Sequence, residues 1–228
     1  MFVYGVIALL VGAALLTGVF GLAVRLHRRH ALPYALLSVG ILTGMGALIV
    51  QTVLIRGLDR GLMGVLSIGA LAIGLSVGVT HEIARLFGYQ YLARSTVTKP
   101  QAMMIGLGHG LVQPVYNGLV AIGMGLSMIG GGGDRPDDPA SLLSGAGADA
   151  LNSFLPIFMH MALGWIVLQV FLRGEIGWLF AAIFLHSVVE MMAALIGTDA
   201  SWLLAAWWLL VALTSAIILA RLRPPAPG

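Results

Sequence analysis

Long apolar blocks, parted by short charged or Gly/Pro-rich stretches, make up almost the whole chain. A helix needs about 20 mainly apolar residues to cross roughly 30 Å of hydrocarbon. Seven blocks qualify, at about 2–24, 31–55, 62–91, 101–129, 151–172, 175–197 and 200–221. The pattern predicts an all-α bundle of seven transmembrane helices forming a single domain over residues 1–228. No positive charge precedes the first block, and Arg25, Arg28 and Arg29 follow it, so it reads as a retained helix and not a signal peptide. Residues 130–149 form the one long loop, with the run Gly130–Gly133 followed by Asp134-Arg135-Pro136-Asp137-Asp138-Pro139. It reads as a flexible tether, or as a lid over a site. The proline-rich stretch 224–228 is expected to be a disordered tail.

Composition agrees with lipid as the solvent. Of 228 residues, 59% are hydrophobic and 9% charged, against about 25% charged in an ordinary soluble domain. Mean hydropathy is +1.00. The absence of cysteine excludes disulfides, thiolate metal sites and cysteine nucleophiles. The pI of about 9.7 does not signal nucleic-acid binding, because the basic residues stand at helix ends and not in a patch. Their distribution sets orientation instead. With the N-terminus outside, Arg25, Arg28, Arg29, Arg94, Lys99, Arg173, Arg221 and Arg223 are cytoplasmic, and Arg56, Arg60 and Arg135 are external. This predicts a multi-pass protein of the cytoplasmic membrane with its C-terminus inside.

Polar residues at mid-depth are costly in lipid and are functional candidates by default. The third span carries His81, Glu82 and Arg85; the fourth His109, Gln113 and Asn117; the fifth Asn152 and His160; the sixth His186 and Glu190. Nothing comparable is expected of the first, second and seventh spans. On each of the four, small and polar residues recur at three- and four-residue steps, as in Gly106, His109/Gly110, Gln113 and Asn117. One face of each helix therefore points inward at the others. At about 1.5 Å per residue, the four histidines lie about 12 to 18 Å from the same membrane face. Convergence at one depth from helices of alternating direction predicts a single site. Taken singly, each histidine also reads as a packing residue, and Glu82 and Arg85 as a mutually neutralising pair. Gly40/Gly44 and Gly74/Gly78 read as packing signals, and Pro114 and Pro156 as kinks.

Such a set suits hydrolysis, with a Glu–His pair activating water and a second His, Asn, Gln or acid holding the oxyanion. Alternatively His81, His109, His160 and His186 could hold zinc between helices. No His-Glu-x-x-His motif is present, since His81-Glu82-Ile83-Ala84-Arg85 ends in Arg.

Three elements over residues 62–197 carry a family resemblance. They are His81-Glu82-Ile83-Ala84-Arg85 (set against Glu-Glu-x-x-Arg), Gly106-Leu107-Gly108-His109-Gly110-Leu111-Val112-Gln113 (against Gly-x-Gly-His-Gly-x-x-Glu), and His186-Ser187-Val188-Val189-Glu190 (against His-x-x-x-Asp). In these the chain resembles the YhfC family of intramembrane peptidases. That family is related to the CAAX-processing and bacteriocin-processing membrane proteases and to the APH subunit of gamma-secretase. His160 fits the family's additional intramembrane histidine. Three places depart from the pattern, with His81 for the first Glu, Gln113 for the Glu after Gly-His-Gly, and Asn152-Ser153 for the acidic-basic pair before the fifth-span histidine. The resemblance implies an intramembrane peptidase-like protein of glutamic or metallo type, or a non-catalytic scaffold of the same fold. Its partners would be membrane lipid and a transmembrane peptide substrate or membrane-protein partner. In the peptidase reading Glu82 and His109 activate water, His186 and Glu190 stabilise the oxyanion or orient the leaving group, His160 supports them, and Arg85 holds Glu82. A haem carrier is disfavoured, because no span holds two histidines.

Overall fold

The structure, a computed structural model, describes residues 2–57, 66–131 and 139–225. The expected start of the third span at 62, Arg60, the 132–138 part of the loop (with Arg135) and tail residues 226–228 lie outside the described residues. Within them the chain is helical, with no strand. The helices are α1 (Phe2–His30), α2 (Ala35–Gly57), α3 (Leu66–Phe87), α4 (Lys99–Gly110), α5 (Val112–Ile129), α6 (Pro139–Phe154), α7 (Pro156–Arg173), α8 (Gly177–Ile196) and α9 (Ser201–Arg221). Seven helical stretches are long and apolar enough to cross a membrane, as the sequence predicts.

Two of the predicted spans are broken, each at a proline. Pro114 has no N–H to give the Gly110 carbonyl and its ring crowds that group, so α4 ends at Gly110 and α5 starts at Val112. Pro156 acts likewise on Asn152, separating α6 from α7. The stretch expected to be loop up to 149 is helical from Pro139. Proline suits the first helical turn, and the Ala- and Leu-bearing sequence after it favours helix.

A five-residue π turn, Gly88–Leu92, ends the third span. It turns Tyr89 inward, so that its hydroxyl donates to the Gly164 carbonyl at 2.8 Å. Helix α4 opens on a capping box, in which the Gln101 amide donates to the Thr98 hydroxyl and Gln101 Oε1 accepts from the Thr98 amide. The end of α9 is tied down by side chains donating to its last carbonyls and those just beyond. Lys99 Nζ donates to Leu219 at 2.7 Å, Trp165 Nε1 to Leu222 at 3.0 Å and Arg173 Nη2 to Arg223 at 2.9 Å. Cations near a helix C-terminus favour its dipole as well as its carbonyls.

Helix α7 is the axis of the bundle. Its span is 61% buried, against 17–39% for the others, and α4 and α9 pack on it. Around it α2 pairs with α4, α3 with α8, and α1 with α5. In lipid such contacts rest on close packing, which small residues permit. A Cβ on Gly40 would stand 2.7 Å from the His109 nitrogen and 2.8 Å from Gly108 Cα. One on Gly78 would stand 2.7 Å from the Ile183 carbonyl, and one on Gly106 2.6 Å from Met161 Cα. Both Gly-x-x-x-Gly pairs therefore lie at helix contacts, and these contacts set the depth of the polar residues beside them.

Gly40→Ala is expected to cost about 1–3 kcal/mol through backbone overpacking. Gly46→Ala, with nothing within 4 Å of the new methyl, should be neutral or gain up to about 1 kcal/mol from helix propensity. Equilibrium unfolding in mixed micelles compares the two directly.

Candidate functional site

The residues at the centre come from five helices. Helix α3 supplies His81, Glu82 and Arg85 over little more than one turn; α4 supplies His109 at its last turn before the Pro114 break. Helix α7 supplies His160 one turn after Pro156, and α8 supplies His186 and Glu190. The four imidazoles meet, with ring-centroid separations from 5.0 to 6.1 Å. Glu82, Arg85 and His186 have no exposed surface, and His109 is buried.

Two hydrogen-bonded networks lie against each other. In the first, Arg85 Nη1 donates to Glu82 Oε2 in a buried ion pair. His186 Nδ1 donates to the other carboxylate oxygen, Oε1, at 2.6 Å. Arg85 Nη2 reaches His160 Nδ1 at 3.2 Å. A guanidinium can only donate, so His160 Nδ1 is an acceptor and the neutral ring carries its proton on Nε2. By the same logic His186, donating from Nδ1, keeps the lone pair on Nε2. That nitrogen is buried with no hydrogen-bond partner, as is Arg85 Nε. The nearest carboxylate to His186 Nε2 is Glu190, at 3.8 Å and on a side chain that keeps 23% of its surface.

The second network runs through α2. His81 Nε2 lies 3.0 Å from Gln51 Oε1, His81 Nδ1 lies 2.8 Å from His109 Nε2, and His109 Nδ1 lies 3.0 Å from the Thr43 hydroxyl. One proton order satisfies these three side-chain contacts: His81 donates to Gln51, His109 donates to His81, and Thr43 donates to His109. Thr43 is also 2.9 Å from the Gly40 carbonyl, and its single proton serves one acceptor at a time.

This geometry redraws the expected roles. Glu82 is bonded to His186 and Arg85 and not to His109, because both carboxylate oxygens are taken from α3 and α8. His109 is engaged at both nitrogens by Thr43 and His81. The expectation that the second span holds nothing polar at depth is corrected, since Thr43 and Gln51 complete the network. Their signal in the sequence is the stripe Gly40, Thr43/Gly44, Ala47 and Gln51, the same small-and-polar spacing as on the other inward faces. Gln113, Asn117 and Asn152 lie outside the cluster, beyond the two proline breaks.

The tetrahedral four-histidine zinc set is not formed in this arrangement. Among the described residues no group of three or more His, Asp or Glu has the geometry to hold a metal ion. Both nitrogens of His81 and of His109 are occupied by neighbours, and only Nε2 of His160 and of His186 remain. The chain matches no protein-family model, no curated protein and no solved structure.

Removing one member of a buried ion pair leaves the other uncompensated and costs about 3–5 kcal/mol. Arg85→Met is expected to destabilise by that amount, and Glu82→Gln/Arg85→Met to recover part of it. Unfolding free energies of the single and double variants give the comparison.

Proposed function

We propose that this protein is an intramembrane hydrolase of the peptidase class in the cytoplasmic membrane, with its arginine-rich end facing the cytoplasm. The observation that carries this reading is His186, its Nδ1–H held by Glu82 at 2.6 Å and its Nε2 left without a partner in a buried site. A carboxylate on one imidazole nitrogen fixes the tautomer and makes the other nitrogen a better base. The Gly-His-Gly element and the motif spacing that resemble the YhfC family support the same class.

The residues divide the work as follows. Water held between His186 Nε2 and the Glu190 carboxylate, 3.8 Å apart, attacks the carbonyl carbon of the scissile amide while His186 Nε2 takes its proton. Glu82 stabilises the imidazolium that forms. The carbonyl π electrons move to oxygen, and the oxyanion accepts a hydrogen bond from His160 Nε2–H, a preorganised donor of the kind that stabilises developing charge. The tetrahedral intermediate then collapses, the C–N bond breaks, and His186 returns the proton to the leaving nitrogen. Arg85 is a positioning residue, holding Glu82 with one arm and the His160 tautomer with the other. The His81–His109–Thr43–Gln51 chain fixes the opposite wall. The substrate would be a membrane-embedded peptide segment.

Quenched-fluorescent peptides with apolar cores, presented to the protein in proteoliposomes, test the proposal. His186→Gln is expected to lower kcat about 10²–10⁴-fold, the range for a general acid–base group. His160→Ala should lower it about 10²–10³-fold, the range for one oxyanion donor. Wild-type turnover that survives His186→Gln would sink this assignment. No turnover by wild type across a broad peptide set would favour a non-catalytic scaffold whose polar cluster only joins helices.

A further inference from the structure

Beyond the two proline breaks lies a cavity of about 600 Å³, within the size range of ligand sites. Its lining residues lie toward the end of the bundle opposite the arginine-rich one. One wall is apolar and comes from α1; the other, from α5 and α6, sets polar side chains among apolar ones, with Trp208 of α9 closing the side. Gln113 stands one turn from His109, and the lining residue Ala193 one turn from Glu190, so the cavity abuts the partly exposed edge of the histidine cluster.

The polar wall is a ladder across two helices. Gln113 Nε2 donates to Asn117 Oδ1 at 3.1 Å, Asn117 Nδ2 to Ser153 Oγ at 2.6 Å, and Ser153 Oγ to the Asp149 carbonyl at 2.7 Å. Asn152 Nδ2 donates to the Ser201 carbonyl at 3.3 Å. The ladder uses one of the two protons of each carboxamide. The acceptors left over are Gln113 Oε1, the exposed Asp149 carboxylate, and Asn152 Oδ1, which is buried without a partner. Among the described lining residues Asp149 is the one ionisable group. A largely apolar cavity whose one charge is a carboxylate, with no cation among its described lining residues, suits an apolar ligand that carries a cationic donor, and it repels phosphate. An exposed glutamine at mid-span is also costly facing lipid, so this wall faces water or a ligand.

We propose that this cavity is a specificity subsite for an extended peptide, taking its backbone N–H groups on Gln113 and Asn152 and an ammonium group on Asp149. The inference rests on the hydrolase reading and names its substrate class: apolar peptides carrying a lysine or a free N-terminus on the side that enters from this end. The α1 wall takes the apolar side chains.

Fluorescence anisotropy of the full chain in detergent micelles tests it with three labelled, N-acetylated apolar peptide amides. They carry lysine, acetyl-lysine or glutamate at one position and are otherwise identical. The lysine peptide is expected to bind most tightly. Asp149→Asn should weaken it roughly tenfold or more, the worth of a charge-assisted hydrogen bond, and abolish its advantage over acetyl-lysine. Gln113→Met, at an exposed position, should weaken all three alike. His186→Gln should bind as wild type does. Equal binding of the three peptides, preference for glutamate, competition by phosphatidylglycerol, or indifference to Asp149→Asn would each overturn the proposal. Lysine-selective binding without turnover would sink the hydrolase reading and leave the subsite standing. Turnover that depends on His186 but not on the lysine would do the reverse.

Discussion

Glu82 and Arg85, three residues apart on one helix, are two full charges with no exposed surface in the interior of a membrane bundle. Moving a charge out of water costs several kcal/mol even after relaxation, and attraction to a partner offsets that only when the remaining hydrogen-bonding positions are also filled. The rest of the polar interior follows from this requirement. Glu82 has a second oxygen, and His186 fills it. Arg85 has a second arm, and His160 receives it. Each imidazole so recruited has a second nitrogen of its own, and these open positions make the centre chemically interesting.

The backbone makes room for the network. Helices α2 and α4 touch at Gly40 and Gly108, α3 and α8 at Gly78, and α4 and α7 at Gly106, each too close for a Cβ. Such contacts fix the depth at which side chains from different helices meet. The breaks at Pro114 and Pro156 flank the cluster on one side, where the carbonyls of Gly110 and Asn152 lose their helical donors. Non-helical backbone is tolerated at membrane depth where it is buried in protein or lines a polar cavity. Here the breaks lie between the histidine cluster and the open cavity beyond it.

Much of this was legible in the sequence because lipid imposes simple rules. Seven apolar blocks gave seven spans, and the shared depth of His81, His109, His160 and His186 anticipated that they would meet. The partners were not legible. Spacing places a residue at a depth and on a face, but which oxygen of Glu82 meets which nitrogen depends on helix rotation, settled by the glycine contacts. The expected pairing of Glu82 with His109 therefore gives way to its bond with His186. Thr43 and Gln51 stand on a span with no charged residue or histidine at mid-depth to mark it, although their stripe has the spacing of the other inward faces. The helix from Pro139 was hidden by the glycine and proline before it, which read as loop.

The central claim is that His186 is a carboxylate-held imidazole with a free Nε2. Nitrogen-15 NMR of histidine-labelled protein in bicelles, with His186 assigned by substitution, reads its tautomer directly. The account predicts a neutral ring protonated at Nδ1, switching to another state in Glu82→Gln. A proton on Nε2, or a His186 signal indifferent to Glu82, would contradict it.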